Sequence, residues 1–161
     1  MIQRIQTLYL LLASIAMVMT LHFPLATVVI GSDEILLRAY EVTGIAAQGA
    51  SMWIFICLIA MLALPTLLSI VIIFLFKNRM LQLRLCVSDI VFLVGSLACI
   101  AIFCWRMTEA VSALPQYQGL EMVFKLGWPS IMPVIAIIFL VLALRGVAKD
   151  EALVRSLDRI R

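Results

Sequence analysis

The chain has 161 residues, 65% of them hydrophobic and 13% charged, with a mean hydropathy of +1.19. A soluble domain is roughly half apolar and about a quarter charged, so too little polar surface is present here to cover a water-soluble core. The class is integral membrane, and a net charge of +3 is too small to imply a nucleic-acid partner.

The first apolar block, IQTLYLLLASIAMVMTLHFP, runs from about Ile5 to Pro24. Crossing a hydrocarbon core of about 30 Å takes roughly 20 helical residues, and this block is long enough. Arg4 followed by an apolar run resembles a secretory leader, yet no small-x-small cleavage site follows Pro24. A retained span is the expectation. Its outer end carries His22, the sole histidine. One histidine makes neither a metal site nor a triad, and beside Phe23 it reads as a headgroup-level residue.

A connector of about residues 25–51 follows. It contains a β-branched run, then Gly31-Ser32-Asp33-Glu34, then a second extended stretch in which Ile35, Leu37 and Ala39 alternate with Leu36, Arg38 and Tyr40. Turn residues between two such runs predict a hairpin.

The second span covers about residues 52–76 and holds Pro65 near its middle. Proline removes one backbone hydrogen bond and predicts a kink, with Thr66 and Ser69 placed to satisfy the carbonyls it frees. A short loop of residues 77–84 carries Lys77, Arg79 and Arg84. The third span covers about residues 85–105, with a short helical continuation expected over Thr108–Leu114. In the second outer connector, residues 106–127, LEMVFKL predicts a possible third strand. The fourth span covers about residues 128–147.

The chain closes on KDEALVRSLDRIR. On a helix, Leu153, Leu157 and Ile160 form one apolar stripe, while Arg155 and Arg159 fall on the opposite face with Glu151 and Asp158. Pairs spaced i,i+3 and i,i+4 support a short surface helix. The segment predicts an amphipathic cytoplasmic helix continuing from the fourth span, with a bend near Gly146. Its stripe can pack on the headgroup region, on its own bundle or on a partner.

Lys and Arg accumulate on the cytoplasmic side of short loops. Nine of the twelve basic residues fall on the side of the two termini, against Arg38, Arg106 and Lys125 on the other. Both termini are therefore expected in the cytoplasm, which an even number of spans also requires.

Asp89 is the one acidic residue within a span. A carboxylate in the bilayer is costly and a candidate functional group by default. Placed about one turn into the third span, it has Arg4, Arg79 and Arg84 at the same membrane face as candidate ion-pair partners. A proton or cation relay is the sharper alternative, with Pro65 as its flexible element. The four cysteines, Cys57, Cys86, Cys99 and Cys104, all lie in spans without a C-x-x-C pattern, and read as small apolar fillers. No phosphate loop, H-E-x-x-H or G-x-S-x-G pattern occurs, so neither enzymatic activity nor a cofactor is expected.

The opening MIQRIQTLYLLLA, the KNRMLQLRLC connector and the closing KDEALVRSLDRIR resemble the domain of unknown function 4293 family of small bacterial membrane proteins. The resemblance extends over the chain as four spans in matching order. It implies a bacterial cytoplasmic (inner) membrane protein and carries over no activity.

The expectation is one membrane domain, mainly α: a four-transmembrane-helix bundle with a small extracytoplasmic β-hairpin or sheet cap and the amphipathic C-terminal helix. Beyond the lipid bilayer, a protein partner or homo-oligomer is expected at the cap or tail. The candidate docking residues are Leu153, Arg155, Leu157, Arg159 and Ile160. The alternative is a small transporter or channel subunit built on Asp89 and Pro65.

Overall fold

A computed structural model describes residues 2–43, 52–75 and 78–158; side chains are described for these except residues 2–4, 79, 150–151 and 153–158. Four helices dominate: α1 (Ile2–His22), α2 (Met52–Phe74), α3 (Arg79–Ser112) and α4 (Met132–Asp158). Each contains a stretch long and apolar enough to cross a membrane. The helices pack as a ring, α1 on α2, α2 on α3, α3 on α4 and α4 back on α1.

The buried residues follow helical spacing on every member. Leu10, Ala13 and Met17 line α1; Leu58, Leu62 and Ile72 line α2; Leu93, Ile100 and Met107 line α3; Ala136, Leu140 and Ala143 line α4. The opposite faces are apolar too, with Trp53 74%, Val91 65% and Leu67 60% exposed. A helix apolar all round needs a nonaqueous neighbour on its outer face, and these helices supply that pattern throughout.

The predicted hairpin is present as β1 (Ala26–Ile30) and β2 (Asp33–Leu37). Its turn is shorter than the Gly-Ser-Asp-Glu reading, because Asp33 and Glu34 already belong to β2. Gly31 adopts φ 59° at the first of the two turn residues, the position where a two-residue hairpin loop favours glycine. The second extended stretch is also shorter than its alternation suggested. The Arg38 amide donates to the Glu41 carbonyl, and the chain turns back so that Thr43 bonds Leu36.

LEMVFKL supplies β3 (Met122–Leu126), and the sheet has the order β2-β1-β3. Both pairings of β1 are antiparallel, with Val28 opposite Ile35 on one side and Phe124 on the other. Ala26, Val28, Ile30, Ile35 and Leu37 belong to the same buried cluster as the helix residues. The sheet therefore closes the end of the bundle where α1 finishes and α4 begins.

The helices differ in extent from the apolar blocks of the sequence. The third helix starts at Arg79, ahead of Leu85, because Arg79 and Arg84 interrupt the apolar run without breaking a helix. It runs on to Ser112, as the helical reading of the following segment anticipated. At Gly146, where a bend was expected, α4 continues as one helix to Asp158. Gly146 instead marks close approach: a Cβ there would lie 2.9 Å from Cγ of Gln6 on α1.

Candidate functional site

Asp89 lies ten residues into α3, about 15 Å along the axis at 1.5 Å per residue. It is outside the first turn, so the expected help from the helix dipole does not reach it. Its side chain is 0% exposed. Ser69 of α2 donates a hydrogen bond of 2.6 Å from Oγ to Asp89 Oδ2, while Oδ1 has no hydrogen-bond partner among the described residues.

Of the proposed cationic partners, Arg84 is exposed, and the side chains of Arg4 and Arg79 lie outside the described residues, as does Lys77. Among the described residues the ion pair is Arg106–Glu109 at 3.6 Å, far along α3 on its exposed face. Asp89 is thus tied to α2 through a hydroxyl. Ser69 was expected to bond a carbonyl freed by Pro65 and does not. Thr66 Oγ1 donates to Leu62 O at 2.8 Å, one residue beyond the carbonyl of Met61 that Pro65 leaves without its amide. Residues 52–74 nevertheless form one helix.

More polar groups are buried in the bundle than the sequence suggested. Gln6, Gln82, Ser14, Thr20 and Ser96 are all 7% exposed or less. Several of the hydroxyls donate to their own helix carbonyl three or four residues earlier, which satisfies them without any ligand. No group of three metal-ligating side chains occurs among the described residues. The four cysteines are free; Cys86 and Cys104 are buried, Cys99 is half-buried and Cys57 is exposed.

The sheet end holds a second polar contact. Tyr117, in the 3-10 turn Pro115–Tyr117, donates from its hydroxyl to Asp33 Oδ2 at 3.3 Å. Burial first, then the charge and hydrogen bond of Asp33, push the Tyr117 hydroxyl above its ordinary range. At the same end His22 meets Phe23 edge-on, with ring centroids 5.7 Å apart, and Phe23 packs on Trp128 at 5.2 Å. His22 is an exposed member of that aromatic cluster.

The seam between sheet and bundle runs through Gly127. Its amide donates to Leu25 O at 2.7 Å. A Cβ there would collide with Pro24 O and lie 2.8 Å from Leu25 O, both rigid backbone atoms. Ser130 Oγ adds a bond of 2.6 Å to the same Leu25 carbonyl.

Outside the four helices, β3 carries half-exposed apolar side chains. Val123 is 51% exposed and Leu126 58%, whereas Val28 beside them on β1 is fully covered. Phe124 and Leu126 overhang a groove of about 530 Å³ whose other wall is α3, from Leu97 to Thr108. The chain matches the family described as Domain of unknown function (DUF4293) over residues 2–160. The chain belongs to the DUF4293 family. That confirms the resemblance carried by its two ends and its KNRMLQLRLC connector. No curated protein and no solved structure matches this DUF4293 chain.

The docking candidates of the tail divide. Leu153, Arg155 and Leu157 lie on α4, their side chains outside the described set, while Arg159 and Ile160 fall outside the described residues altogether. The β3 surface was missed as a candidate. Its signal was available in LEMVFKL, where apolar residues occupy both faces of a strand.

Proposed function

We propose that this DUF4293 chain is a non-enzymatic multi-pass protein of the bacterial cytoplasmic membrane that works by contact. Both termini face the cytoplasm and the sheet caps the outer side. Four long apolar helices support the membrane setting, and the concentration of nine of twelve basic residues on the terminal side supports the orientation.

The observation that carries the contact reading is the bare β3 surface. An edge strand presenting unpaired main-chain groups and apolar side chains is a template for association, which proteins normally blunt. Here Val123, Phe124 and Leu126 are 51%, 42% and 58% exposed. The cytoplasmic extension of α4, with Leu153, Arg155, Leu157, Arg159 and Ile160, is the second contact element. A photo-crosslinking residue placed at Val123 or at Arg155 in native membranes tests this. Protein adducts from at least one position are expected; lipid adducts alone from both would sink it.

A second reading, a small transporter or channel subunit, is favoured by one observation: the buried Asp89 Oδ1 has no partner among the described residues. An unsatisfied carboxylate oxygen inside an apolar bundle is costly, and such groups mark ion or proton paths. Asp89→Asn decides it. Unaltered growth and complex formation would remove the transport reading, while loss of function in a folded variant would favour it over contact.

A further inference from the structure

We propose that the free edge of β3 pairs with the same edge of a second copy, joining two three-stranded sheets into one six-stranded sheet about a two-fold axis through Val123. This rests on the contact reading and names the partner at its outer site.

The two sheet edges are not equivalent. Beyond β2 the chain returns on itself: Thr43 donates its amide to Leu36 O, and Leu36 N donates to Thr43 Oγ1 at 2.9 Å. Val42 bridges Leu37 in the same return. The chain thus covers the β2 edge, and among the described residues β3 is the edge left open.

The hydrogen-bond phase of that open edge follows from the hairpin. A two-residue loop makes Ile30 and Asp33 a hydrogen-bonded pair, so Ala26, Val28 and Ile30 turn their main-chain groups toward β2. Thr27 and Val29 turn theirs toward β3, where they face Lys125 and Val123. The Gly127 amide bond to Leu25 O has the same phase. The main-chain groups of Met122, Phe124 and Leu126 therefore point outward, unused by β1.

An antiparallel two-fold through Val123 pairs Met122 with Phe124 of the second copy through those outward groups. It places Glu121 opposite Lys125 twice, Leu120 opposite Leu126, and Val123 opposite itself. Glu121–Lys125 falls at a non-hydrogen-bonded site, where facing side chains come closest. Both side chains are exposed, and neither makes an ion pair among the described residues. An axis through Met122 or Phe124 sets each charge against an uncharged residue. An axis between residues puts outward groups against inward ones. The pattern L-E-M-V-F-K-L is self-complementary in charge and apolarity at one register.

The symmetry also suits a membrane. A two-fold that joins antiparallel strands within one sheet runs perpendicular to that sheet. The buried faces of both sheets stay on one side, so both bundles enter the same bilayer in the same direction. Such an interface is isologous and closes at two copies.

The test is oxidative cross-linking of Val123→Cys in native membranes, compared with the parent chain and with Ser32→Cys at the exposed hairpin turn. A disulfide dimer specific to Val123→Cys is expected, because facing non-hydrogen-bonded residues bring their Cβ atoms within about 4.5–5.5 Å, near disulfide reach. Adding Glu121→Lys should cut the dimer fraction several-fold by leaving like charges opposed, and adding Lys125→Glu as well should restore it. Dimer no greater than in Ser32→Cys or the parent, or no recovery in the double reversal, overturns the proposal. A photo-crosslinker at Val123 separates the two levels. Self-adducts support the dimer; adducts only to another protein overturn it and leave the contact reading standing; lipid adducts alone at this site overturn the dimer and the outer half of that reading.

Discussion

Asp89 and Ser69 illustrate how one hydrogen bond can hold two helices in register. The 2.6 Å bond from the Ser69 hydroxyl meets a carboxylate that is 0% exposed. Ser69→Ala would leave both carboxylate oxygens without that donor, and a buried unsatisfied polar group costs about 1–3 kcal/mol, more if charged. Asp89→Asn keeps an acceptor for the Ser69 hydroxyl and should cost less. Thermal unfolding in detergent should rank Ser69→Ala below Asp89→Asn; the reverse order would show that Ser69 does not satisfy Asp89. Gly127→Ala should be worse than Gly146→Ala. The first drives a Cβ into the Pro24 and Leu25 carbonyls, while the second meets only the flexible end of Gln6. Overpacking against fixed atoms costs about 1–3 kcal/mol, whereas alanine within a helix regains about 0.5–1 kcal/mol over glycine. The same melting experiment separates them. The Asp89 carboxylate was legible in the sequence as a candidate. Its partner was not, because a bond between residues of two antiparallel helices depends on which faces meet, and α2 offers Thr66 as well as Ser69 nearby.

The three strands show both what pattern reveals and where it stops. β1 and β2 followed from a β-branched run and a Gly-Ser-Asp-Glu turn, and LEMVFKL was read as a further strand. The order β2-β1-β3 pairs segments far apart in the chain, so no local signal could say which edge stays open. Helix boundaries failed for the opposite reason: hydropathy at Arg79 and Arg84 fell while backbone preference for a helix did not. The Tyr117–Asp33 bond joins the hairpin tip to the segment between α3 and β3, and it gives this end of the molecule an alkaline limit. A hydroxyl whose folded pKa is raised contributes stability that is present below its unfolded value, about 10. That contribution is lost as pH rises from there through the folded pKa, because the unfolded chain releases the proton first. Melting temperature should fall above about pH 10 more steeply for the parent than for Tyr117→Phe. Parallel curves would remove Tyr117 from the account.

Across the whole molecule, membrane setting and orientation rest on two independent patterns, the outward apolar faces of four helices and the one-sided clustering of Lys and Arg. Together they predict opposite accessibilities for two exposed positions. Ser32→Cys at the hairpin turn should react with a membrane-impermeant maleimide in intact cells with a permeable outer envelope. Lys149→Cys on α4 should react only after lysis. Equal labelling at both, or the reverse order, would overturn the orientation. The four long helices were legible because four apolar stretches dominate the chain. The short link between α2 and α3 sets one side of the ring, and the sheet that joins the ends of α1 and α4 sets another.

Ala26 follows α1 closely, yet its neighbour Leu126 on β3 leads into α4. During synthesis, therefore, the hairpin waits with one flank of β1 unpaired until the chain has been made through Leu126, with α4 still to follow. Closing the sheet requires that the segment after α3 reach the same side as the segment after α1. A chain halted before β3, or inserted with its last helix reversed, leaves the main-chain groups of Thr27 and Val29 without partners. In the proposed membrane arrangement, completion of that one strand pair requires the segments after α1 and α3 to emerge on the same side.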